Sequence, residues 1–203
     1  MVNLNVNLKD GKYSIYMNNG NIKIYDVNGN EIHYKDSNGY EQRKEYDANG
    51  NVIHYKDSNE YEQWWEYDSN GNEIHYKNSN GYEYWKEYDS NGNCVHYKDS
   101  NGFEEWWKYD FHKNLIHYKD SNGKEFWYNS NGNYVHYKDS NGFEKWKEYD
   151  SNGNMIHYKN SSGYEFWYHN GVEISKEEYD RIHNSCHGKV VEIDGKKYQL
   201  KEV

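Results

Sequence analysis

The 203-residue chain has no proline, two cysteines and few aliphatic residues. Without proline, every position can donate to a backbone ladder, which suits uninterrupted strands. Cys94 and Cys186 are too few for a disulfide framework, so a reducing, intracellular setting is expected. No apolar run is long enough for a membrane helix, and Met1 to Leu8 alternates polar and apolar residues instead of forming a signal peptide. Positive charge is also short. A formal charge of −10 argues against direct binding of nucleic acid or anionic membrane and favours a basic partner.

Leu, Ile, Val and Phe together number 30, a deficit that by itself suggests disorder. Against it stand 25 Tyr and 8 Trp, which supply large contact areas with few rotatable bonds and prefer strands. The expected fold is a thin aromatic sheet and not an aliphatic globule.

His-Tyr-Lys occurs seven times, from His33, His54, His75, His96, His117, His136 and His157, at spacings of 21, 21, 21, 21, 19 and 21 residues. A fixed period of this size marks one supersecondary unit copied along the chain. Counting from each His as position 0, position −1 is Ile or Val, +1 Tyr, +2 Lys, +8 Glu in all seven, and +10 Trp in six. An Asp-Ser-Asn-Gly turn or a close variant follows +2, and a second turn, usually Tyr-Asp-Ser-Asn-Gly-Asn, closes the unit. Two short strands with a glycine turn after each make a β-hairpin repeat. The 19-residue step lacks two residues, an even number, which keeps every side chain on its face.

The register follows from loop length. A three-residue Ser-Asn-Gly loop with glycine left-handed sets Lys +2 opposite Glu +8 and His opposite Trp +10, whereas a two-residue turn would oppose Asp +3 and Glu +8. A four-residue loop would regroup the faces. Since 21 is odd, equivalent faces are expected to require one odd and one even loop per repeat. In the three-residue register Ile or Val −1 and Tyr +1 share one face, and His, Lys, Glu and Trp share the other.

The chain divides into N-terminal capping strands over residues 1–29, a β-hairpin array over 30–169, and a C-terminal cap over 170–203. Val2, Leu4, Val6 and Leu8 form the expected capping strand. Ser175 with Glu178 fits a capping box and starts a short helix to about residue 184. Residues 188–203 suggest a final hairpin turning at Asp194-Gly195. The expected fold class is all-β: an elongated antiparallel β-meander of about seven 21-residue hairpins, roughly 70 Å long at about 10 Å per hairpin.

The Tyr-Asp-x-x-Gly-Asn segments at 46–51, 67–72, 88–93 and 149–154 resemble YD repeats of the Rhs type, over about 140 residues. The resemblance implies an antiparallel strand array. Rhs proteins build shells from far longer arrays, so enclosure of a cargo does not carry over to seven units. Gly123 to Gly132, with Phe126, Trp127 and Tyr128 before a turn, is more weakly similar to the aromatic hairpins of choline- or glucan-binding cell-wall repeats, although their Gly-Trp pair is absent here.

No repeat column carries a catalytic set, and the expectation is a non-enzyme without a cofactor. Equivalent histidines sit about 10 Å apart, too far for one zinc with bonds of about 2.0–2.1 Å. His183, Cys186 and His187 form a tighter but incomplete candidate metal cluster. The candidate binding residues are the Trp column, Trp64, Trp85, Trp106, Trp127, Trp146 and Trp167, with Glu62, Glu83, Glu104 and Glu144 beside it. The expected partner is a basic protein, in the cytoplasm of a bacterial or phage-infected cell. One form of this is a phage or mobile-element inhibitor of a nucleic-acid-handling host factor. Alternatives are glycan binding by the Trp stripe, use as a spacer, and a homodimer through the aromatic face.

Overall fold

Asp47 shows how this chain turns. In the computed structural model, which describes residues 12–17, 19–183, 190–193 and 195–199, Asp47 Oδ1 accepts the backbone N–H groups of Asn49 (2.8 Å) and Asn51 (2.9 Å). Asn51 Nδ2 donates to Asp47 Oδ2 at 3.0 Å. Asp47 N donates to the Asn51 carbonyl and Gly50 N to the Asp47 carbonyl. With Gly50 left-handed at φ 86°, this is a three-residue loop ending in a G1 bulge. The same backbone bonds close the first turn of the repeat, from Asp36 to Tyr40.

The chain forms two units, residues 1–107 and 108–203. The first holds β1 (Tyr13–Tyr16), β2 (Ile22–Tyr25), β3 (Glu31–Lys35), β4 (Glu41–Tyr46) and β5 (Val52–Asp57). It continues with β6 (Glu62–Tyr67), β7 (Glu73–Asn78), β8 (Glu83–Tyr88), β9 (Cys94–Asp99) and β10 (Glu104–Tyr109), which runs just past its boundary. Each of these strands pairs antiparallel with the next.

The second unit repeats the scheme with β11 (Leu115–Asp120), β12 (Glu125–Tyr128), β13 (Tyr134–Lys138) and β14 (Glu144–Tyr149). β15 (Met155–Asn160), β16 (Glu165–His169) and β17 (Val172–Ile174) follow in the same order. α1 (Lys176–His183) then starts where expected, with Glu178 N donating to Ser175 Oγ at 3.2 Å, and lies against β16. β18 (Val190–Ile193) and β19 (Lys196–Gln199) form the expected terminal hairpin. The chain is thus an all-β meander of hairpin repeats with a short helix and a separate small hairpin. No helix among the described residues is long and apolar enough to cross a membrane. The capping strand expected from Val2, Leu4, Val6 and Leu8 lies outside the described residues.

The expected first-loop register holds. His54 pairs with Trp64 and Lys56 with Glu62, and the pattern recurs at His75/Trp85 and His96/Trp106. In the second unit it recurs at His117/Trp127, His136/Trp146 and His157/Trp167. The expectation of one odd and one even loop does not hold, because both loops have three residues. A β-bulge restores the parity instead. Glu45 pairs with His54 but Tyr46 with Val52, so Ile53 is inserted between them. Ile32, Ile74, Val95, Val135 and Ile156 occupy the same place. The Ile/Val column is therefore the bulge position and not a member of the Tyr face.

The bulge re-aims its neighbours, as bulges do. Glu73, at position −2, accepts from Tyr84 (2.5 Å) and Lys86 (3.0 Å) on the Tyr face, whereas His75 serves the other face. Tyr67 Oη donates to the Val52 carbonyl at 3.0 Å, on the residue that precedes the inserted Ile53. Tyr46, Tyr88 and Tyr149 make the equivalent bond to Glu31, Glu73 and Tyr134. Both letters of the Tyr-Asp pair thus have a cause. The tyrosine ties down the bulge, and the aspartate builds the turn.

Glu45, His54 and Trp64 lie in one row across three strands, and Glu66 opens the next row two residues beyond Trp64. Each 21-residue repeat therefore steps two residues along the strand. At about 3.3 Å per residue and about 4.8 Å between strands, this inclines the rows by roughly 35°. Neither face is a closed core. Tyr76, at 9% exposure, is the buried hydrophobic residue among those described, and none of their side chains is fully buried.

Candidate functional site

The candidate Trp residues all lie on the face that carries His and Lys, and the strand register explains what each touches. Imidazole and indole planes stack at 5.3 Å in His54–Trp64 and His75–Trp85, and at 5.2 Å in His96–Trp106. On the following strand, the lysine of the next repeat stands opposite in register: Trp64 pairs with Lys77, Trp85 with Lys98 and Trp146 with Lys159. Lys159 Nζ stands 5.2 Å from the Trp146 ring, a cation–π distance. Trp146 is therefore held between His136 on one flat side and Lys159 on the other. Trp64 and Trp85 are the most exposed of the column, 37% and 40%.

The two-residue deletion changes one row. Trp127 pairs with His117 on one side and with His136 on the other, at ring distances of 5.0 and 4.2 Å. His136 then stacks on Trp146 at 5.1 Å, so four rings follow one another across β11 to β14.

The candidate glutamates at +8 are bonded within the repeat. Glu62 accepts from Lys56 Nζ at 2.5 Å and stands 3.1 Å from His54 Nε2. Glu104 is held in the same way by Lys98 (3.0 Å) and His96 (3.0 Å), and Glu83 by His75 and Glu144 by His136 at 2.8 Å. Lys56 first, and then His54, hold the Glu62 carboxyl below the usual range, and Lys98 and His96 do this for Glu104.

The acid that faces solvent is the one at +12. Glu45, Glu66 and Glu87 are 71, 67 and 72% exposed, and each lies within 3.2–3.5 Å of the Nδ1 of His54, His75 or His96. Glu148 stands likewise at His157. This column is interrupted by Lys108 and by the deletion, so it is less regular than the Glu +8 column, but it is visible in the repeat. An open groove of about 490 Å³ runs beside it, lined by Glu45, Asp47, Glu66, His54, Trp64 and the bulge residue Ile53. Its carboxylates are Glu45, Asp47 and Glu66, no Lys or Arg lines it, and the arrangement suits a cation that also touches an aromatic rim.

On the opposite face, tyrosine hydroxyls bond one another: Tyr40 with Tyr55 at 2.8 Å and Tyr82 with Tyr97 at 2.7 Å. Burial, and then these bonds, push Tyr55 and Tyr97 well above the ordinary phenol value. No group of three or more potential metal ligands is assembled among the described residues. The candidate cluster lies outside them, in Cys186, His187 and the His183 side chain.

No family model and no curated protein matches the chain. Similar solved structures include the Tc holotoxin pore of Photorhabdus luminescens, at 13% identity and a TM-score of 0.49, covering 77% of this chain and 11% of that one. A TcdB2–TccC3–TEV structure gives 13% and 0.48 over the same shares. A porin-like protein of Bacteroides uniformis gives 12% and 0.29, over 83% of this chain and 89% of that one. The chain spans about a tenth of the length of the Tc chains it is similar to.

Proposed function

We propose that this chain is a non-catalytic repeat scaffold that binds a basic protein through its His–Trp face. The observation that carries the reading is the exposed Glu45, Glu66 and Glu87 column running beside the rims of Trp64 and Trp85. Arg and Lys side chains fit such a surface because the carboxylate supplies charge and the indole rim supplies apolar contact for the alkyl stem. A net charge of −10 steers a cationic partner toward it. A basic, nucleic-acid-handling host factor, blocked by a phage or mobile-element protein, is the partner class that this charge balance suits.

Glycan binding is the less favoured reading. Sugars stack on the flat side of an indole, and here His54 covers one side of Trp64 while Lys77 pairs with it from the other strand.

The test is a titration of tryptophan fluorescence with a Lys/Arg-rich peptide, an acidic peptide of equal length, and a soluble glucan. Saturable binding of the basic peptide alone, weakening as salt rises, is expected. A response to the glucan alone, or equal responses to both peptides, would overturn the proposal.

A further inference from the structure

The other face of the first unit carries a pattern that the His–Trp face lacks. Position +11 is Lys44, Trp65, Lys86 and Trp107 in four successive repeats. Lys44 pairs with Tyr55, Trp65 with Tyr76 and Lys86 with Tyr97, which places them on the Tyr face. Trp107 shares the alternation of Glu105, which pairs with Tyr97 on that same face. Each stands two residues further along its strand than the one before, so the four form one oblique line with roughly 12 Å between neighbours. The lysines remain 28% exposed, and the Trp65 ring leans on Tyr76 at 5.5 Å.

A sheet whose apolar face has no second layer is incomplete as a fold. In the first unit the described residues form strands alone, with no helix or second sheet laid over the Tyr face. We propose that this face is covered by the same face of a second copy of the chain.

The alternation selects that occupant. A two-fold axis maps an interface onto itself, and where the axis crosses the line at right angles the order reverses. Reversal turns Lys-Trp-Lys-Trp into Trp-Lys-Trp-Lys. Lys44 then meets the partner's Trp107, and Lys86 meets the partner's Trp65. Indole is the best aromatic acceptor of an ammonium group. Superposition in the same order would instead set lysine on lysine.

Two further features fit. Glu73 lies 3.0 Å from the Lys86 ammonium group, and Glu31, which also holds Lys23 at 2.6 Å, lies 3.8 Å from that of Lys44, so each cation keeps a carboxylate beside it when the face is covered. The line is also inclined to the strands by about 55°, so reversal crosses the strands of the two sheets at roughly 70°, towards the orthogonal class of sheet packing.

Sedimentation of the full chain over a wide concentration range is the first test, with a species of twice 24.6 kDa expected. The variant Trp65→Lys/Trp107→Lys carries lysine at all four places, and its dimer dissociation constant should rise by about tenfold or more. Mixing it with Lys44→Trp/Lys86→Trp should restore a species of twice the mass. A second measurement uses single replacements. In a Cys94→Ser/Cys186→Ser background, with dissolved oxygen as the oxidant, chains carrying Trp65→Cys mixed with chains carrying Lys86→Cys should form the mixed disulfide faster than either forms its own. A wild-type chain that stays single at the highest concentration, a four-lysine variant that associates as well as wild type, or equal disulfide rates would overturn the proposal.

Discussion

Trp127 and His136 stack at 4.2 Å across neighbouring strands, a contact made because the repeat before His136 lacks two residues. In a regular repeat that place opposite His belongs to Glu +12, as for Glu66 and His75. The chain thus contains its own experiment on repeat length. Deleting Lys86 and Glu87 together should bring Trp85 opposite His96 and leave a folded protein. Deleting Lys86 alone inverts the faces of everything that follows in the strand. The single deletion should therefore cost more than the double one, by over about 2 kcal/mol, or ~4–8 °C in melting temperature for a chain of this size. Thermal melts of the two variants check this.

Tyr67→Phe removes the hydroxyl that meets the Val52 carbonyl at the bulge. The expected loss is about 1 kcal/mol, the net contribution of one such bond. Denaturant unfolding measures it, and Tyr88→Phe, which loses the bond to Glu73, should behave alike.

Glu60 stands at φ 63° where most repeats have glycine. A left-handed conformation costs an L-residue roughly 1–2 kcal/mol, part of which glycine gives back through its larger unfolded-state freedom. Glu60→Gly should stabilise the chain by about 0.5–1 kcal/mol, seen as a higher denaturant midpoint.

Acid should loosen the turns. The Asn51 amide, and then the backbone N–H groups around it, hold the Asp47 carboxyl below its ordinary value, and Asn72 and Asn154 do this for Asp68 and Asp150. A carboxyl lowered on folding stabilises fully above its unfolded pKa, about 3.9 for Asp, and that stability is lost as pH falls through the folded value. The contribution of these turns to the denaturant midpoint should therefore be lost below about pH 4. Asp47→Asn should make this loss smaller, since Asn129 already builds the same turn bonds to Asn131 and Asn133.

Most of the architecture is legible in the sequence because each part has a local signal. The seven His-Tyr-Lys triplets reveal the period, and charge opposition selects the register that pairs Lys56 with Glu62. The bulge is not legible, because an inserted residue leaves no mark of its own. Ile53 looks like any strand residue, and the parity rule fails once a ladder can skip it. The exposure of the acids is not legible either. Glu +8 is invariant across the repeats because Lys and His hold it internally, whereas the less regular Glu +12 column is the one exposed.

The most direct test of the binding face compares Glu45→Gln/Glu66→Gln/Glu87→Gln with the unaltered chain. The readout is the dissociation constant for a Lys/Arg-rich peptide at low salt, with circular dichroism confirming the fold. Affinity weakened by about tenfold or more and a shallower dependence on salt are expected. An unchanged dissociation constant in a folded triple variant would contradict binding through this face.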